Sequence, residues 1–196
     1  MLTIGVLGPI EARLDGTATW LPAGKTTELL ARLALSVGEP VRVDVLLEDL
    51  WGEPTARNTL QSKVSQLRRA IGAEYVPAAG DGYRLALPPE AVDAVEVVPL
   101  AAAATAARAA NDIPAALTAA RSGLALFRGD PLTDLSDWAG PHRTRLEELR
   151  LTLLEHVVAA RVGLGAGWVV GAATGIGLGA MVANLLNRLR GTREQR

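Results

Sequence analysis

The sequence predicts an α+β winged helix-turn-helix domain over residues 1–87, followed by an all-α, tetratricopeptide-like helical module over residues 90–162. Three observations predict this. Short alternating apolar runs crowd the first 21 residues, segments of helical period follow between Lys25 and Ile71, and a glycine-punctuated hairpin comes just before Pro88-Pro89. Sheet, three helices, hairpin is the order of a winged helix whose last hairpin is the wing.

Leu2-Thr-Ile-Gly-Val-Leu, Ile10-Glu-Ala-Arg-Leu and Thr17-Ala-Thr-Trp-Leu read as strands, and Asp15-Gly16 is a strong hairpin turn. Lys25–Ser36 reads as a helix with Leu29, Leu30, Leu33 and Leu35 on its apolar stripe, and Gly38 follows its end. After the extended Val41-Arg-Val, Asp44 is expected to cap a helix bearing Leu46, Leu47 and Leu50, closed by Trp51-Gly52. Thr55 is the expected N-cap of a long helix to Ile71, whose Leu60, Val64, Leu67 and Ile71 share one buried face. Tyr75-Val, the turn Gly80-Asp-Gly82 and Tyr83-Arg-Leu-Ala-Leu then form the second hairpin. Beyond the prolines the chain is rich in alanine. Leu100–Ala110 and Ile113–Phe127 form a helical hairpin through Asn111-Asp112, and a third helix runs from Pro141 to about Arg161. The pair resembles one unit of a helical repeat, and no second copy is visible.

The formal net charge is −1, so any positive field for nucleic acid must be local. Residues 55–72 supply one: they hold Arg57, Lys63, Arg68 and Arg69 and no acid, in a stretch 1–86 with nine basic and ten acidic side chains. Off the buried face lie Asn58, Thr59, Gln61, Ser62, Lys63, Ser65, Gln66, Arg68 and Arg69. Asn and Gln suit adenine edges, Lys and Arg suit guanine, and hydroxyls and cations hold phosphates. Arg84, beside the wing tip, is placed to reach the backbone or the adjacent minor groove. These ten residues are the expected contacts to double-stranded DNA.

Leu7-Gly-Pro-Ile-Glu, Leu50-Trp-Gly, Asn58-Thr-Leu-Gln, Val64-Ser-Gln-Leu-Arg-Arg-Ala-Ile-Gly and Gly80-Asp-Gly-Tyr-Arg-Leu resemble motifs of the Streptomyces antibiotic regulatory protein family. Asp93-Ala, Ala125-Leu-Phe-Arg-Gly and Arg145-Leu-Glu-Glu-Leu-Arg-Leu extend the resemblance over about residues 1–162. The resemblance implies an OmpR-type winged helix and a bacterial transcriptional activator domain. It also implies copies cooperating as a homo-oligomer on promoter repeats, contact with RNA polymerase, and activation of secondary-metabolite genes in the cytoplasm, at the nucleoid. Ser62 and Lys63 depart from it, since an apolar residue and an aromatic or His are usual there.

Other chemistry finds little support. Ala23-Gly-Lys-Thr-Thr invites a phosphate-loop reading, but the position five before Gly24 is Thr19 rather than glycine. His142 and His156 stand fourteen apart without cysteine anywhere in the chain, which is not a zinc spacing. Glu147-Glu148 and Asp134/Asp137 read as solvated faces. No triad, nucleophile elbow or dinucleotide fingerprint is present, so neither enzymatic activity nor a cofactor or metal is expected. Met1-Leu-Thr-Ile-Gly does not read as a signal peptide.

Residues 163–196 fit none of this. From Val162 to Asn187 there is no charge, and seven glycines lie between 163 and 179. Three readings stay open: a self-associating helix inserted in the membrane through residues 163–187, a non-native tail from a frame change, and a soluble helix packed under the module. The first would tether the chain to the inner face of the cell membrane, and its extreme form is an interaction protein assembled through a glycine-zipper tail.

Overall fold

Strand β1 (Leu2–Gly5) pairs antiparallel with β2 (Glu11–Leu14), and β2 with β3 (Thr17–Thr19), in the computed structural model, which describes residues 1–52 and 57–169. Asp15 (φ 50°) and Gly16 (φ 80°) both take the left-handed conformation that a tight two-residue hairpin turn demands. Strand β1 stops short of its apolar run because Val6 and Leu7 leave the ladder for other partners, described below. Helix α1 (Lys25–Ala34) buries Leu29, Leu30 and Leu33. Strand β4 (Val41–Arg42) leads into α2 (Val43–Trp51), and Gly52 at φ 72° closes that helix as expected. Asp44 does not cap α2. The residue before the helix is Arg42, and Asp44 sits in the first turn, accepting from the Val45 amide and from Arg42.

Helix α3 (Arg57–Ile71) buries Leu60, Val64, Leu67 and Ile71, the predicted face, against α1 and α2. The proposed cap Thr55 lies outside the described residues. The second hairpin is shorter than expected: Ala73–Tyr75 form a helical turn, and the strands are β5 (Ala78–Ala79) and β6 (Gly82–Tyr83). Strand β6 lies between β4 and β5, so the wing grows from the strand that precedes α2. Gly82 is needed there, since a Cβ would overlap the Val41 carbonyl across the ladder.

In the helical module, α4 (Asp93–Ala109) begins seven residues before the expected Leu100. Pro99 lies inside the helix, where Ala94 and Val97 before it and Ala101 and Ala104 after it are all buried. Packing overrides the lost hydrogen bond. Asp112 caps α5 (Ile113–Ala125), accepting from the Ala115 amide at 3.0 Å. Helix α6 (Gly140–Val169) continues past the expected end. Among the described residues no helix is long and apolar enough to cross a membrane. From residue 170 onward, the tail segment lies outside the described residues.

Residues Met1–Ala160 form one compact unit, and one apolar core runs from Leu2 and Leu29 through Val92 and Val97 to Leu132 and Leu153. Two polar clamps fasten the winged helix to the module. At the first, Asp93 accepts from the Val6 and Leu7 amides at 2.8 and 3.1 Å and from Arg128 at 3.1 Å. Arg128 also donates to the Pro9 carbonyl, and its own amide donates to the Leu7 carbonyl. Burial pushes the Asp93 carboxyl up, and these donors offset only part of that push. Gly5 leaves the space its guanidinium occupies, because a Cβ there would overlap it. At the second clamp, Glu28 of α1 accepts from Lys25 (2.7 Å), from the Ser136 amide (3.0 Å) and from the Trp138 indole (2.8 Å). Arg32 lies over the Trp138 ring, 5.7 Å from its centroid.

His156 of α6 is buried against α4, with Nε2 3.1 Å from Thr105 Oγ1 and Nδ1 without a partner among the described residues. Burial, reinforced by Arg108 and partly opposed by Glu155, holds this imidazole below its ordinary range. The unfolded chain therefore takes up a proton here more readily than the folded one, and stability falls as pH drops below about 6.5. His156→Leu is expected to flatten the pH dependence of the urea midpoint between about pH 7 and 5, by up to about 1.4 kcal/mol per pH unit. His142, also lowered by burial and by Arg32, keeps a residual slope. A variant with the wild-type slope would show that His156 contributes none of it.

Candidate nucleic-acid interface

The buried stripe of α3 fixes where its other side chains go, because residues three and four apart share a face. Opposite the core runs an outer row of Asn58, Ser62, Ser65 and Arg69, all exposed. The flank facing α1 carries Thr59, Lys63 and Gln66, each half-buried. The flank facing the wing carries Arg57, Gln61 and Arg68. Arg57 and Gln61 line a cleft whose other wall is Ala78, Asp81 and Tyr83 of the wing.

Three of the ten predicted contacts, Arg68, Gln66 and Lys63, are engaged inside the protein. Arg68 donates to the Val76 carbonyl through Nε and Nη2 at 2.9 and 2.7 Å, and its guanidinium lies 5.7 Å from the Tyr83 ring centroid. It therefore holds the end of α3 to the base of the wing. Gln66 Oε1 accepts from Thr26 Oγ1 of α1 at 2.8 Å and from Lys63 Nζ at 3.4 Å. The remaining seven are Asn58, Thr59, Gln61, Ser62, Ser65, Arg69 and Arg84. Of these, Arg84 leaves β6 exposed, its amide bonded to the Pro77 carbonyl at 3.3 Å.

The exposed faces of α3 carry cations without acid, and Asp44 and Asp81 beside the wing are exposed but paired with Arg42. No Asp or Glu lies between Arg57 and Ile71. Asp81, at the wing tip, has Arg42 Nε at 3.5 Å, and Arg42 also holds Asp44 at 2.9 Å. Hydrogen bonding and charge from Asp44, with Asp81, raise the Arg42 guanidinium, and the Arg42 bond holds the Asp44 carboxyl below its usual range. Sequence reasoning missed Thr26 and Tyr83, whose partners Gln66 and Arg68 lie elsewhere in the chain, and Arg42, which joins its neighbour Asp44 to the distant Asp81. Lys25, the lysine of the phosphate-loop lookalike, is engaged with Glu28 and with Ser136 Oγ at 2.9 Å.

Residues 21–85 match the family described as "Transcriptional regulatory protein, C terminal", and residues 92–173 match the "Bacterial transcriptional activator domain". The regulatory protein DnrI of Streptomyces peucetius is 34% identical over 170 residues, covering 79% of this chain and 62% of that protein. The chain belongs to the Streptomyces antibiotic regulatory protein family. A further relative, the transcriptional regulatory protein EmbR of Mycobacterium tuberculosis, is 33% identical over 177 residues, covering 85% of this chain and 45% of that one. The solved structure of EmbR in complex with a low-affinity phosphopeptide superimposes with a TM-score of 0.76 at 30% identity, over 84% of this chain and 46% of that chain. The chain thus spans less than two thirds of the length of these relatives. The match to the activator domain continues to residue 173. The motif segments that carried the resemblance meet in space: Leu7, Asp93 and Arg128 are the first clamp.

Proposed function

We propose that the chain is a sequence-specific transcription regulator that lays α3 in the major groove of double-stranded DNA. The observation that carries this is the exposed outer row of α3, three hydrogen-bonding side chains and one arginine on a helix without acid, flanked by the wing. In this reading Asn58, Ser62, Ser65 and Arg69 face base edges, Thr59, Gln61, Lys63 and Gln66 border them, and Arg84 lies on the backbone beside the wing. Arg68 supports the helix rather than the DNA. The family suggests the finer role: an activator of secondary-metabolite genes, working in the cytoplasm with RNA polymerase, its copies cooperating on promoter repeats.

Binding is expected to depend strongly on salt despite the net charge of −1, because counterion release follows local phosphate contacts. Arg69→Ala is expected to weaken binding of the full chain to duplexes selected from a random library by about 1–3 kcal/mol, with the urea midpoint unchanged. Wild-type affinity in Arg69→Ala, or a flat plot of log affinity against log salt, would refute the interface.

A further inference from the structure

We propose that Thr26, Gln66 and Lys63 form a cluster that presents only hydrogen-bond donors to DNA, so that Gln66 selects an acceptor and rejects adenine. The inference rests on the DNA-binding reading above and reverses the usual expectation for a glutamine on a recognition helix.

A glutamine that reads adenine uses both halves of its amide, accepting from N6 and donating to N7. Here the accepting half is occupied. Lys63 Nζ can only donate, so the atom of Gln66 that faces it at 3.4 Å must be Oε1. Thr26 Oγ1, at 2.8 Å, then gives its proton to the same oxygen. Thr26 is fully buried in the first turn of α1 and Gln66 is half-buried, so the amide is held from beneath by a hydroxyl that water cannot replace. The position of α1 is in turn fixed by the Glu28 clamp two residues on.

Toward the groove, the cluster therefore offers the two N–H groups of Gln66 and the remaining protons of the Lys63 ammonium. A guanine major-groove edge shows two acceptors, N7 and O6, and meets such a surface well. Adenine sets its N6 donor against these donors. A phosphate oxygen shares the acceptor chemistry, and the two sources give different patterns in one experiment.

That experiment is selection and sequencing of random duplexes by the full chain, as wild type, Gln66→Ala, Thr26→Val and Thr26→Ser. If a base is read, Gln66→Ala relaxes one position of the selected motif, and that position is guanine in wild type, preferred over adenine by about tenfold. Thr26→Val keeps the buried shape but frees Oε1, so adenine is admitted at that position alone, while Thr26→Ser, which keeps the hydroxyl, retains guanine. If a phosphate is held, Gln66→Ala lowers affinity alike on all sequences with no change of motif. Adenine at the relaxed position in wild type, or no effect of Gln66→Ala on motif or affinity, would overturn the proposal. An unchanged motif in Thr26→Val beside a guanine lost in Gln66→Ala would overturn the role of Thr26. Failure of the wild type to enrich any duplex would instead sink the DNA-binding reading itself.

Discussion

Replacing Asp93 with alanine is expected to cost about 3 kcal/mol, read as a lower urea midpoint of the full chain. The side chain is 11% exposed and does three jobs at once, taking the Val6 and Leu7 amides and the Arg128 guanidinium. Removing it strands two backbone N–H groups where water reaches poorly, each at about 1–3 kcal/mol, and takes from Arg128 one of its two carboxylates. Arg128 is tied to the same loop through the Pro9 carbonyl and Glu11, so the loss would spread to β2. Arg128→Leu is expected to cost less, because Asp93 keeps its two backbone donors. The double variant should fall short of the sum of the singles, as shared partners require. A cost below about 1 kcal/mol for Asp93→Ala would mean that the clamp is incidental to stability.

Glu28→Ala is the second large effect, about 2–4 kcal/mol. The Glu28 side chain is only 7% exposed, and without it the Lys25 ammonium, the Ser136 amide and the Trp138 indole lose their common acceptor. Burial pushes the Glu28 carboxyl up, but the bonds from Lys25, Ser136 and Trp138 outweigh that push and leave it below the usual range. The sign of the pH effect follows. The folded chain releases this proton more readily than the unfolded one, so the contribution is present above about pH 4.5 and is lost as pH falls through the folded value. Glu28→Gln is expected to lower stability at neutral pH and to remove that part of the acid loss. Acid unfolding that follows the wild-type profile in Glu28→Gln would exclude Glu28 as its source.

The sequence reading reached as far as local signals go. The Leu60, Val64, Leu67 and Ile71 stripe has one periodicity and one physical meaning, and Asp15-Gly16 allows few turns other than the one observed. The start of α4 lies earlier than the sequence suggests, because the tertiary contacts that hold Pro99 inside the helix are invisible in it. Asp44 looked like a cap because its type suits one, but Arg42 is the residue that precedes the helix and draws the carboxylate aside. The candidate site was legible as a list of polar residues off one buried face. Which of them are already engaged was not, since Gln66 answers to Thr26 forty residues earlier, and Arg68 to Val76 and Tyr83. Nothing local to Glu28 signals that Ser136 and Trp138, more than a hundred residues away, bury it.

The first clamp also bears on how such a regulator can be recombined. Pro88-Pro89 looks like the natural seam for a chimera, with a winged helix from one protein joined to a helical module from another. A cut there would separate Val6, Leu7 and Pro9 from Asp93 and Arg128, and Glu28 from Trp138. Each half would carry one side of two fasteners cut to different patterns. The smallest portable cassette is therefore the compact unit from Met1 through Ala160, inherited whole, and a change of DNA target is better made by exchanging side chains on α3 than by swapping the winged helix as a block.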